Sequence, residues 1–198
     1  MDDIFTFDDS ATELTEEEKE ELILSYISTR DELNDAEQSN ILDARNWAFK
    51  GKKNVLDEQF LKTLHKKMFN EVWKWSGQYR KTQKNIGIET YRISMELNSL
   101  ISDINFWIEN KTFAIEEIAA RLHHKLVWIH PFVNGNGKFS RLVTDIFLKS
   151  NGRNFFNWGY NLAHPTLRRK QYIKSLKEAD AHNIEPLLKF LKGDSHAD

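Results

Sequence analysis

Apolar residues recur every three or four positions along most of the chain, the spacing of amphipathic helices. Thr15 followed by Glu18 is a capping-box pattern and predicts a helix through Leu22, Ile23 and Tyr26. A second helical pattern passes through Ala36, Ile41, Ala44, Trp47 and Ala48 and ends near Gly51. A third covers roughly 57–74, with Phe60, Leu61, Leu64, Met68, Phe69 and Val72 on one stripe. Helical periodicity returns over 94–109, 114–129, a segment ending near Ser150, 166–180 and 184–192. Residues 78–93 break the rhythm, with β-branched and aromatic residues on both sides of Gly87. That pattern predicts a short hairpin or extended flap, with an ordinary loop as the alternative. The expected fold class is all-α with one small β-hairpin.

Composition narrows the choice. The chain has 198 residues, 40% hydrophobic and 29% charged, which suits one globular domain with a short appendage. There is no cysteine, which excludes disulfide scaffolds, thiolate-zinc sites and thiol nucleophiles. The net charge of −2 hides a split. Residues 1–21 hold ten acids and one base, while the remainder, with twenty acids and twenty-seven bases, carries +7. The leader lacks the basic start and apolar run of a signal peptide, so a cytoplasmic location is expected, with no membrane partner. Ile4, Phe5 and Phe7 are positioned to pin the leader to the body. A basic body suits an anionic ligand such as a nucleotide.

The chemistry concentrates in residues 130–141, His-Pro-Phe-Val-Asn-Gly-Asn-Gly-Lys-Phe-Ser-Arg. Gly135 and Gly137 allow close backbone approach where a helix begins. The unpaired N–H groups of a helix start, with Asn136 as a further amide donor, favour an anion. Lys138 and Arg141, three residues apart, share a face and lean toward the same anion. His130 ends the preceding helix and is the candidate general base. Phe132 is the expected buried anchor of the loop. Together these residues point to phosphates and to phosphoryl or nucleotidyl transfer.

Here the chain resembles the Fic-domain family, whose signature is His-Pro-Phe-x-(Asp/Glu)-Gly-Asn-Gly-(Arg/Lys)-x-x-Arg. The resemblance extends over roughly residues 30–192. It includes Leu64-His65, Gly77-Gln78-Tyr79-Arg80 and Glu185-Pro186-Leu187-Leu188, and is greatest to the type called mobile mystery protein B. It implies a Fic-type helical bundle with a hairpin flap at about 83–93, including Ile86, Gly87 and Ile88. The implied organisation is a leader with a helix over 1–29 and a Fic-like domain over 30–198. It implies an AMP-transferase in which His130 deprotonates a protein hydroxyl that attacks the α-phosphate of ATP. Gly135, Asn136, Gly137, Lys138 and Arg141 would hold phosphates, and the flap would align a target by strand addition. The implied partners are a nucleotide, an unidentified target protein and the chain itself as a possible target.

Two positions depart from the signature's usual residues. Lys138 keeps a charge but lacks the bidentate fork of arginine. Asn134 replaces the acid that binds Mg²⁺ in the family, and a neutral amide oxygen is a poorer ligand for a hard cation. Three accounts follow: the metal is held by phosphates and water, the donor is not ordinary ATP, or catalysis is feeble. The family also carries an inhibitory helix, (Ser/Thr)-x-x-x-Glu-(Gly/Asn), whose glutamate pairs with the second arginine of the motif. Residues 33–38 match it only at Glu37, which is the candidate inhibitory residue within a helix near 30–40, paired with Arg141. A catalytically weakened, nucleotide-binding regulatory protein is the alternative reading. A nucleic-acid partner ranks last, because no helix-turn-helix with a basic recognition helix is evident. His123 and His124 point about 100° apart on a helix and read as packing or hydrogen-bonding residues.

Overall fold

The computed structural model describes residues 14–51, 53–160, 162 and 164–193. The expectation for Ile4, Phe5 and Phe7 lies outside the described residues. Eight α-helices follow in order among the described residues: α1 Glu16–Lys19, α2 Arg30–Phe49, α3 Glu58–Phe69, α4 Ile93–Glu109, α5 Ile115–Ile129, α6 Asn136–Ser150, α7 Pro165–Asp180 and α8 Glu185–Lys192. One 3-10 turn, Thr90–Arg92, leads into α4.

α5 and α6 form the centre of the bundle. α4 and α8 pack on α5, α3 packs on α6, α2 lies against α3 and α6, and α7 pairs with α8. α5 buries Ile118, Ala119, Leu122, Leu126 and Ile129, and α6 buries Phe139, Val143, Ile146 and Phe147. Two small residues in a row, Ala119 and Ala120, let neighbours approach α5 closely. Among the described residues no helix is long and apolar enough to cross a membrane.

Two expectations fail, each for a tertiary reason. The first helix is only four residues long, although Thr15 and Glu18 do form the expected capping box. The chain leaves the helix because Leu22 bridges Trp73, with Ile23 N–H donating to Val72 at 2.9 Å and Lys74 N–H to Glu21 at 3.0 Å. The same pairing ends α3 at Phe69, short of the expected 74.

The hairpin is the second correction: among the described residues there is no strand, only isolated bridges at Leu22–Trp73 and Tyr79–Phe132. Residues 81–89 form an irregular extended loop. Its carbonyls are taken by a side chain where a hairpin would use cross-strand N–H groups. The buried Arg80 guanidinium donates to Ile88 O and, at 3.1 Å, to Thr82 O.

Candidate active site

The cleft between α5, α6, α7, α2 and the flap has a volume of about 1070 Å³. The motif enters it from two helix ends. α5 stops at His130, whose φ of 53° is left-handed, and Pro131 prevents continuation. α6 starts from Gly135 (φ 74°) with no side chain capping its first turn. The N–H groups of that turn therefore keep the electropositive end of the helix dipole at the cleft.

The short connection is held rigid. Asn136 is buried and staples the loop, its Oδ1 accepting from Phe132 N–H at 2.9 Å and its Nδ2 donating to Phe132 O at 2.8 Å. The Asn136 amide expected at the anion is thus spent on the loop, and only its backbone N–H remains with the helix start. Phe132 is fully buried and stacks on His65 at 3.7 Å between ring centroids.

His65 is a residue whose role sequence reasoning missed. Gly77 N–H donates to its Nδ1 at 3.0 Å, so the ring proton sits on Nε2 and donates to Asn134 O at 3.1 Å. Burial pushes its pKa down to about 3, so it is a neutral connector. Arg80 was likewise missed. Its Nε donates to His130 O at 2.7 Å and its backbone N–H to Pro131 O at 3.0 Å, so one side chain fixes both the flap and the histidine. Gly87 of the flap sits so close that a Cβ there would meet His130 Cβ at 2.6 Å. Ile86, Gly87 and His130 all line the cleft, while Ile88 is buried and does not line it.

His130 is buried, and burial pulls its pKa down to about 4, with Arg80 and Lys84 pushing the same way and the Val127 carbonyl opposing. Val127 O lies 3.3 Å from Nδ1 and can only accept, which puts the proton on Nδ1 and makes Nε2 the basic nitrogen.

Glu37 reaches the motif at a different residue from the one expected. One carboxylate oxygen accepts from the Trp73 indole at 2.9 Å, and the other pairs with Lys138 Nζ at 3.0 Å. The Glu37–Arg141 pairing is therefore not formed. Trp73 fixes the carboxylate beside the first turn of α6, where a lysine can extend to it. Arg141, one turn on, lies against Tyr172 (5.4 Å) and Trp158 (6.0 Å). Glu32, which stands four residues after Ser28 as the inhibitory pattern requires but is followed by Leu33, is consumed in capping α2 through Ser28 and Thr29.

Asn134 Oδ1 accepts from Gly135 N–H at 2.6 Å, so the amide oxygen is turned to the backbone. Among the described residues no three His, Cys, Asp or Glu side chains converge as metal ligands. The protein groups at Asn134 thus do not fit a magnesium site of their own. His123 and His124 are engaged elsewhere, with Tyr172 Oη and Asp180 Oδ1, each at 2.8 Å.

With this geometry in view, residues 55–148 match the model of the Fic/DOC family. The chain is 30% identical over 133 residues to the protein adenylyltransferase Fic of Drosophila grimshawi, covering 65% of this chain and 26% of that one. The corresponding Nematostella vectensis protein is 30% identical over 123 residues, covering 59% and 26%. The chain thus spans about a quarter of the length of the relatives it matches. The BepC protein of Bartonella tribocorum, solved with bound AMPPNP, superposes with a TM-score of 0.68 at 17% identity, covering 93% of this chain and 100% of that one. A Fic domain from Bartonella quintana, solved with ADP, gives 0.64 at 17% identity, covering 88% and 89%. The all-helical fold is that of Fic domains, and the Fic/DOC match over residues 55–148 falls on the helices that build this cleft.

Proposed function

We propose that the protein transfers AMP from ATP to a hydroxyl of a protein, and that residues 30–198 form the transferase unit behind the 1–29 leader. The observation that carries this reading is the convergence, in one cleft, of a neutral histidine and an uncapped helix start flanked by Lys138 and Arg141. His130 Nε2 takes the proton of a Ser, Thr or Tyr hydroxyl. The hydroxyl oxygen bonds to the α-phosphorus, the bond from that phosphorus to the bridging oxygen breaks, and pyrophosphate leaves. A bound polyphosphate raises the basicity of the imidazole, offsetting the effect of its burial. The backbone of Gly135–Lys138 and the Arg141 guanidinium hold the phosphates by preorganised charge. The flap around Ile86–Ile88 orients the target segment, which is either another protein or the chain itself. No step requires a metal ligand from Asn134, and magnesium arriving with the donor would be held mainly by phosphates and water. Glu37 restrains the enzyme by occupying Lys138 beside the phosphate site.

Intact-mass measurement after incubation with a panel of nucleotides and Mg²⁺ tests the proposal. Glu37→Gly should gain an adduct of the transferred group faster than wild type by about tenfold or more, the worth of one charged hydrogen bond. Glu37→Gly/His130→Ala should gain none. An adduct that persists without His130 would sink the mechanism. Failure of Glu37→Gly to exceed wild type, with adducts on both, would sink the inhibitory role alone.

A further inference from the structure

Arg141 and Asp145 stand one turn apart on α6, the spacing at which an arginine and an aspartate pair on a helix. Among the described residues they form no ion pair. Asp145 instead accepts the indole N–H of Trp158 at 3.1 Å. The Trp158 backbone is in the left-handed region, φ 57°, an uncommon conformation for a bulky residue. Such a conformation persists where the surroundings over-determine it. Here they do so on three sides: the indole bond to Asp145, a T-shaped contact with His123 at 4.8 Å, and backbone donation from Trp158 to Leu191 O at 3.3 Å. The ring so placed is one wall beside the Arg141 guanidinium. Tyr172 is the other, its hydroxyl bonded to the buried His123. His123 touches both walls, so the enclosure is one connected unit.

We propose that Asp145 is a positioning residue for the distal phosphates of the donor: by holding Trp158 it sets the guanidinium of Arg141 between two aromatic faces. This rests on the reading that the cleft takes a nucleoside triphosphate. The arrangement does two things that a direct Arg141–Asp145 ion pair would undo. It leaves the forked donors of Arg141 unspent on its own helix, and it confines the side chain before the ligand arrives. Confinement reduces the ordering cost of binding. The effect is selective, because Arg141 meets only the part of the ligand that ATP has and AMP lacks.

Calorimetric titration of the full chain with AMPPNP and with AMP provides the test. Arg141→Ala should weaken AMPPNP by tenfold or more and AMP by less than twofold, because a charge-assisted hydrogen bond is removed from one ligand only. Asp145→Ala should weaken AMPPNP by about threefold to tenfold, the range for one net hydrogen bond, and leave AMP within twofold. Asp145→Asn keeps an acceptor for the indole and should bind AMPPNP as the parent does. Trp158→Phe should match Asp145→Ala, and the double variant should be no weaker than either, because both act through one hydrogen bond. If Asp145→Ala weakens both ligands equally, or if its effect multiplies with that of Trp158→Phe, the proposal is overturned while the triphosphate reading stands. If Arg141→Ala binds both ligands as the parent does, the triphosphate reading fails and takes the proposal with it. Should Asp145→Ala not fold, Asp145→Asn and Trp158→Phe decide the matter: equal loss of AMPPNP in both contradicts a role for the acceptor.

Discussion

Two glycines two residues apart in the motif face opposite requirements. Gly135 has φ +74°, and a Cβ there would lie 2.4 Å from Phe69 Cζ. Gly137 has ordinary backbone, and a Cβ there would meet nothing within 4 Å. Gly135→Ala should therefore cost about 2–4 kcal/mol of folding stability, from left-handed strain and overpacking together. Gly137→Ala should leave thermal unfolding within about a degree or two, since alanine also favours helix over glycine. If phosphates occupy the space beside Gly137, the same methyl should weaken AMPPNP by tenfold or more, the scale of overpacking in a filled site. Undiminished nucleotide affinity in Gly137→Ala would place the phosphates elsewhere. Asn134 makes the complementary point about charge. Asn134→Asp keeps the oxygen that accepts from Gly135 N–H and adds an anionic ligand for a hard cation. Transfer measured against Mg²⁺ should rise by about tenfold. No gain, in a protein that already transfers, rules out the account in which phosphates and water mainly hold the ion.

At the scale of elements, the leader is the part whose role the sequence hid best. Its charge marked it only as acidic, yet Glu18 is buried and ties it to the flap. The carboxylate accepts from Thr82 Oγ at 2.7 Å and pairs with the buried Lys84 ammonium. Both partners sit in the loop that Arg80 clamps from below, so the flap is held from two sides. Glu18→Ala should speed amide hydrogen exchange over residues 81–89 by an amount equivalent to about 1–3 kcal/mol of lost protection, leaving α5 unchanged. Equal acceleration in α5 would mean global loosening and would remove the clamp from consideration. The long helices were legible because their stripes repeat every 3.6 residues, and the motif was legible because its parts are contiguous. What was not legible is carried by partners far apart in sequence. Arg80 on the His130 and Ile88 carbonyls, His65 between Gly77 and Asn134, and Trp73 under Glu37 leave no period to read. The hairpin failed for the same reason. Residues 81–89 have strand-like composition, but their carbonyls had already been claimed by a side chain.

For the whole molecule, the burial that shapes the site also sets its response to acid. Burial holds His65 and His123 down to about 3 and His130 down to about 4, so all three are neutral in the folded protein at pH 5. In the unfolded chain each returns to about 6.5 and is protonated at that pH. Folding at pH 5 therefore releases protons from these three sites, and their contribution to stability falls as pH drops below about 6.5. His124, lowered chiefly by burial, acts in the same direction. Asp145 acts in the opposite direction. Burial raises it to about 6, so it binds a proton on folding at pH 5 and offsets one histidine. About two protons remain, which makes the slope roughly 3 kcal/mol per pH unit near pH 5, steep against a total stability of about 5–15 kcal/mol. Urea unfolding at pH 7, 6 and 5 should show the midpoint falling at each step, with most of the loss between 6 and 5. His130→Ala removes one of these sites and should reduce the slope by about 1.4 kcal/mol per pH unit. A midpoint that holds or rises toward pH 5 would mean that the three imidazoles charge in place. The neutral histidine on which the proposed proton transfer depends would then not be a property of this fold.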